Sequence, residues 1–172
     1  MGAYLCRVIR IHRALSIEET LRIALEAHKG QLDLDGNPVI LHIMAVGAAG
    51  KDETEQKVGI LHDVIEDTGM TRADLRKRGV DEDVLDAVDL LTHKDQDTYE
   101  EYIRNLVESG NMTALMVKLH DLDHNQQRAS RTLMGMEKSM VQDQERRDMI
   151  LGIVKIHTWA RNYIVQALGS AQ

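Results

Sequence analysis

The chain has 172 residues, of which 43% are hydrophobic and 28% charged, an ordinary globular composition with room for one sizeable core. Its net charge of −7 argues against a protein that coats nucleic acid, because such proteins need basic patches to displace counterions. One proline, no phenylalanine and long stretches rich in Leu, Ala, Glu, Arg and Met predict an all-α fold, read as a single domain over 1–172.

The N-terminus, MGAYLCRVIRIHRALS, has arginines among its apolar residues, so neither a signal-peptide core nor a membrane span is read there. Met1-Gly2 opens a myristoylation motif that Cys6 breaks, since Ser or Thr is required at that position. Cys6 is the lone cysteine and gives no support for an oxidising compartment, so a cytoplasmic protein is expected. Ser16 and Glu19 form a capping box for a first helix to about Lys29, ended by Gly30. Gln31 to Pro38 reads as a turn-rich loop by its Asp-Gly and Asn-Pro pairs. A short helix is predicted from Ile40, then a motif helix from Asp52 to Asp67, stopped by Thr68-Gly69. Thr71 caps a helix over Arg72 to Lys77, broken by Gly79. Helices over Asp81 to Leu91 and from Thr98 to Val107 follow, separated by a polar loop. Asn111 or Thr113 caps the helix that carries VKLHDLDHN, and Gln126 to Glu137 reads as less regular. A final helix over Gln142 to Leu168 has Ile150, Leu151, Val154, Trp159, Ile164, Val165 and Leu168 as buried candidates.

The densest chemistry lies in Leu61 to Thr68, LHDVIEDT. On a continuous helix His62 stacks under Glu66 and Asp63 under Asp67, with Leu61, Val64 and Ile65 as core anchors. A core helix tolerates such carboxylates only when they are paired, protonated or bound to a cation, and a divalent metal accepts His nitrogen and carboxylate oxygen together. Further ligands are available in Lys118 to Asn125, where Asp121 and Asn125 share a helical face. His42, after Val39-Ile40-Leu41, reads equally as a ligand or as a satisfied core histidine. A His-His-Asp-Asp set suits Mn²⁺, Fe²⁺ or Zn²⁺ better than Ca²⁺. Lys118, Arg128 and, less so, Arg131 are candidate phosphate contacts. His120 and His124 flank Asp121 and suit either a supporting or a surface role, while His12, His93 and His157 have no partner pattern. Met134, Met136 and Met140 form an apolar stripe suited to core or dimer contact, so a homo-oligomer is compatible with the sequence.

The pattern H…HD…D resembles that of HD-domain phosphohydrolases. The words AHKGQ, DGNPVILH, LHDVIEDT and VKLHDLDHN, in that order, are similar to the hydrolase domain of RelA/SpoT-type alarmone enzymes. The likeness covers about Ser16 to Arg131 and extends to Ala87 to Thr92 and Thr98 to Ile103, words of the small single-domain bacterial members. It implies that His42, His62, Asp63 and Asp121 hold one divalent metal, usually Mn²⁺, and that Glu66 and Asp67 position the attacking water and move protons. It also implies that Asn125 lies near sugar and phosphate, that His28 is structural near the site, and that the reaction removes the 3′ pyrophosphate of (p)ppGpp. No synthetase half is expected beyond the hydrolase module, and neither nucleic acid nor membrane is an expected partner.

The departures fall on base recognition. Leu32-Asp33-Leu34 stands where the family carries a basic pair, Val39 replaces its tyrosine, Ile43 its proline and His120 its alanine. Two alternatives therefore stand beside the alarmone reading: hydrolysis of a nucleoside monophosphate or other small phosphoester, and a non-catalytic nucleotide-binding module. Retention of Glu66 and Asp67 argues against the second, since a pure binder needs no water-activating pair.

Overall fold

The computed structural model describes residues 14–138 and 143–170; Cys6, His12, Met140 and Gln142 lie outside them. Among the described residues the regular elements are α1 (Ile17–Ala27), α2 (Ile40–Ala48), α3 (Glu53–Leu61), α4 (Val64–Asp67), α5 (Arg72–Lys77), α6 (Glu82–Leu91), α7 (Tyr99–Glu108), α8 (Met112–Lys138) and α9 (Gln144–Ser170). The fold is all-α; pairing of β type is confined to an isolated bridge between Leu32 and Pro38, which closes the loop between α1 and α2.

The helix starts follow the caps. Ser16 with Glu19, Thr71 with Asp74 and Thr98 with Glu101 form reciprocal capping boxes. Asp52 and Asn111 each accept the backbone N–H three residues on, both at 2.9 Å. Gly79 and Gly110, at φ 92° and 64°, let the chain turn sharply after α5 and α7.

Three expectations are corrected. Gln126 to Glu137 is helical, the second half of α8. Its Gln, Arg, Ala, Leu and Met residues are good helix formers, and α9 packs along α8. The motif helix is not continuous: α3 ends at Leu61 and α4 begins at Val64. Asp63, at φ −97° and ψ −4°, lies in the bridge region between them, so the ladder that would stack His62 under Glu66 is interrupted. Leu151 and Val165 of α9 are exposed, because the core-facing line runs through Ile150, Ala160 and Ile164, and each of the two lies about 100° of helix past Ile150 or Ile164. The methionine stripe also divides: Met134 is exposed and Met136 buried. Trp159 is partly buried and stacks on Tyr163 at 5.6 Å.

Helix α3 is the hub, packed against α1, α2, α6 and α8. Around it Ile43, Val58, Leu61, Leu85, Ile103 and Leu122 are buried to within 1%. Each such burial stabilises by about 1.5–3 kcal/mol relative to exposure. This centre sets α2, the α3–α4 junction and α8 side by side. No helix among the described residues is long and apolar enough to cross a membrane.

Candidate metal centre

Three elements deliver the chemistry. Helix α2 brings His42, the α3–α4 junction brings His62 and Asp63, and α8 brings Asp121. One ligand atom from each of His42, His62 and Asp63 lies within 4.8 Å of the others, a cluster that can hold a metal ion. Asp121 closes the fourth side, with Oδ1 3.3 Å from His42 Nε2 and 3.9 Å from His62 Nε2.

The ring orientations favour a cation. His62 Nδ1–H donates to the Gly59 carbonyl at 2.8 Å, so in the neutral ring Nε2 is the lone-pair nitrogen. That Nε2 is buried and lacks a hydrogen-bond partner, although Asp63 Oδ2 lies 3.0 Å away. A buried imidazole nitrogen left bare among carboxylates is what a metal would satisfy. His42 Nδ1 and His124 Nδ1 lie 2.7 Å apart; the tautomer with the proton on His42 Nδ1 makes His42 the donor and leaves its Nε2 lone pair for the cluster. Burial and the neighbouring His42 lower the His124 pKa to about 4, so its ring is neutral and can accept that bond.

The electrostatics of the metal-free cluster follow from close opposite charges. Burial disfavours the His62 imidazolium, but Asp63 and Asp121 outweigh it and raise the pKa to about 9. Burial alone would raise the Asp63 pKa, and His62 reverses that. Asp121 is held well below the carboxylate range: burial opposes its charge, but Lys118 Nζ donates to Oδ2 at 2.8 Å. Asn125 Nδ2 donates to Asp121 Oδ1 at 2.6 Å.

His42, Asp63 and Asp121 of the cluster line a pocket of about 760 Å³, with His62 buried behind them. Glu66 and Asp67 stand in its wall, exposed to it, and desolvation by the surrounding protein raises both carboxyl pKa values. Glu66 Oε2 accepts the His93 backbone N–H at 2.7 Å, which fixes the carboxylate toward the loop between α6 and α7. The Asp67 carbonyl accepts from Gln31 at 2.9 Å, and Gln31 in turn meets His28 Nδ1 at 2.7 Å. His28 and Gln31, the ends of HKGQ, thus tie the first loop to α4.

Of the remaining candidates, Asn125, Lys118 and Arg128 line the same pocket. The Lys118 ammonium is turned to Asp121 and lies 5.3 Å from the Tyr102 ring centre. Arg128 pairs with Asp33 at 2.9 Å. Arg131 lines a separate groove with Asp123, Gln126, Gln127 and Ser130. His120 is partly buried and faces Glu55 at 4.0 Å rather than the pocket.

Tyr99, His157 and Arg146 are among the pocket residues that escaped sequence reasoning. Tyr99, within the word TYEEYI, presents a buried hydroxyl without a hydrogen-bond partner. His157 of α9 faces Tyr99 with ring centres 6.0 Å apart, and burial lowers its pKa. Arg146, also on α9, lines the mouth. Only Tyr99 carried a sequence signal, through its word; the α9 residues have no spacing relation to the motifs.

No family model matches the chain. A guanosine-3′,5′-bis(diphosphate) 3′-pyrophosphohydrolase of Borreliella burgdorferi is 37% identical over 81 residues, 45% of this chain and 12% of that protein. A GTP pyrophosphokinase of Streptomyces coelicolor is 32% identical over 120 residues, 63% of this chain and 14% of that protein. The chain therefore spans about one seventh or less of the length of these curated relatives. Among solved structures, a metazoan ortholog of SpoT described as hydrolysing ppGpp superposes with a TM-score of 0.59 and 22% identity, over 91% of this chain and 97% of that one. At that identity the likeness speaks for the fold.

Proposed function

We propose, on the premise that the chain is related to the hydrolase domain of RelA/SpoT-type enzymes, that it is a metal-dependent phosphohydrolase removing the 3′ pyrophosphate of a (p)ppGpp-like nucleotide. The observation that carries this reading is the buried His62 Nε2, without a hydrogen-bond partner, set beside His42, Asp63 and Asp121, which line a pocket together with Glu66 and Asp67. These four side chains would hold one divalent cation, and their mixed nitrogen and oxygen donors suit Mn²⁺, with Fe²⁺ and Zn²⁺ as alternatives. Such an ion, when bound, lowers the pKa of its water toward neutrality and offsets charge on phosphoryl oxygens.

The chain's own groups supply the rest. Glu66, oriented by the His93 N–H, and Asp67 accept the proton of the attacking water; their raised pKa values make them stronger bases than exposed carboxylates. The new bond forms between water oxygen and the phosphorus attached to the ribose 3′-oxygen. The bond from that phosphorus to the 3′-oxygen breaks, the proton goes to the 3′-oxygen, and GDP or GTP and pyrophosphate leave. Asn125, Lys118 and Arg128 line the pocket where sugar and phosphate would rest. A cytoplasmic setting is part of this reading, since a lone cysteine gives no support for an oxidising compartment.

The test is turnover by metal-stripped protein refilled with Mn²⁺, against ppGpp, pppGpp, ppApp, NADPH and nucleoside monophosphates. Pyrophosphate release from ppGpp is expected. Activity confined to monophosphates would keep the metal chemistry and move the substrate. Silence with metal bound would make a nucleotide-binding module the better reading.

A further inference from the structure

The loop between α1 and α2 reaches across the pocket mouth with its acids. Asp33 pairs with Arg128 of α8 at 2.9 Å. Asp35 accepts from Arg146 of α9 at 2.8 Å and from the Thr132 hydroxyl at 2.7 Å, and Arg146 also donates to the Leu34 carbonyl at 3.3 Å. With Lys118 held by Asp121, each cation lining the pocket already faces a carboxylate of the chain. Among the described residues the lining carries six carboxylates against three cations, the histidines apart, so these with one divalent ion sum to a net negative charge. For a pocket read as receiving a phosphorylated nucleotide, that is an unusual balance.

The two loop acids differ in what they do. Asp33 Oδ1 also accepts the backbone N–H groups of Asp35 and Asn37, at 2.9 and 2.8 Å, and so shapes the loop itself. The Asp35 carboxylate bonds across the mouth, to Thr132 and Arg146. A phosphate approaching Arg146 must either displace Asp35 or sit beside it, and in both cases two like charges share a few ångström at a partly screened site.

We propose that Asp35 is a specificity-determining residue: by neutralising Arg146 it penalises each additional phosphate, so the pocket selects the less phosphorylated nucleotide, ppGpp over pppGpp. The reaction named here rests on the hydrolase reading; the charge preference rests on the ion pairs at the mouth.

The experiment compares wild type with Asp35→Asn, which keeps the size of the side chain and an oxygen for Thr132 but removes the charge. Binding of GMP, GDP and GTP to Mn²⁺-loaded protein is measured by calorimetry, and KM is measured for ppGpp and pppGpp. Asp35→Asn should tighten GTP about fivefold more than GMP, the size expected for removing one unit charge several ångström from a phosphate. The gain should shrink at high salt, and Arg146→Gln alone should weaken GTP more than GMP, the opposite of Asp35→Asn. KM for pppGpp should fall relative to that for ppGpp. An unchanged ladder from GMP to GTP, a weakening of all three, or no binding of any by either protein overturns the proposal. If wild type binds the ladder but cleaves neither alarmone, the hydrolase reading fails, and the binding slopes still decide the role of Asp35.

Discussion

Gly59 of α3 lies so close to Gly47 of α2 that a Cβ built on Gly59 would meet the Gly47 Cα at 2.9 Å and the Val46 carbonyl oxygen at 3.0 Å. This crossing brings His42, one turn and a half before Gly47, to His62, just past the end of α3. Gly59 also supplies the carbonyl that orients the His62 ring. Because the obstruction is backbone, no rotamer change relieves it. Gly59→Ala should destabilise by about 2–3 kcal/mol, as overpacking does, and weaken metal binding as the two helices separate. Thermal melts and a metal titration read the two effects.

A proton and a metal compete for His62 Nε2. In the metal-free fold the His62 pKa is raised from 6.5 to about 9, so its proton binds more tightly folded than unfolded. That contribution to stability is complete below the unfolded value near 6.5 and is lost as pH rises through about 9. Metal binding, which needs the neutral ring, moves the opposite way and should tighten by up to about tenfold per pH unit below the folded pKa. Melts in chelator and Mn²⁺ titrations at several pH values across this window check both slopes.

Glu66→Gln and Asp67→Asn remove proton acceptors while keeping shape. Turnover should fall by about a hundredfold or more in each, the range for general-base removal, with metal content unchanged. Partial burial disfavours both charges, since both pKa values are raised, so neither substitution should lower the melting temperature appreciably. Loss of metal from both variants would reassign them as ligands.

Tyr99 and Tyr102 offer a matched pair. The Tyr99 hydroxyl is buried without a partner, whereas Tyr102 Oη–H donates to the Leu91 carbonyl at 2.7 Å. Tyr99→Phe should leave stability unchanged or raise it by up to about 1 kcal/mol; Tyr102→Phe should cost about 1–2 kcal/mol, because it strands a buried carbonyl. Denaturant unfolding of the two variants measures the difference.

The sequence by itself determined what short-range rules encode. The capping boxes at Ser16, Thr71 and Thr98, the glycine stops at Gly79 and Gly110, and the all-α class act over a few residues, so they are legible without the fold. The candidate ligands were also legible, because LHDVIEDT and VKLHDLDHN each place several donors within one or two helical turns. The tertiary structure decided the rest. The break at Asp63 depends on how α3 and α4 pack, and the second half of α8 is helical against α9, which periodicity in a polar stretch does not announce. The pairs Asp33–Arg128 and Asp35–Arg146, and the meeting of Tyr99 with His157, join residues far apart in the chain. Their contacts exist only once the helices around α3 have closed, because side chains on separate helices have no fixed spacing until packing sets it.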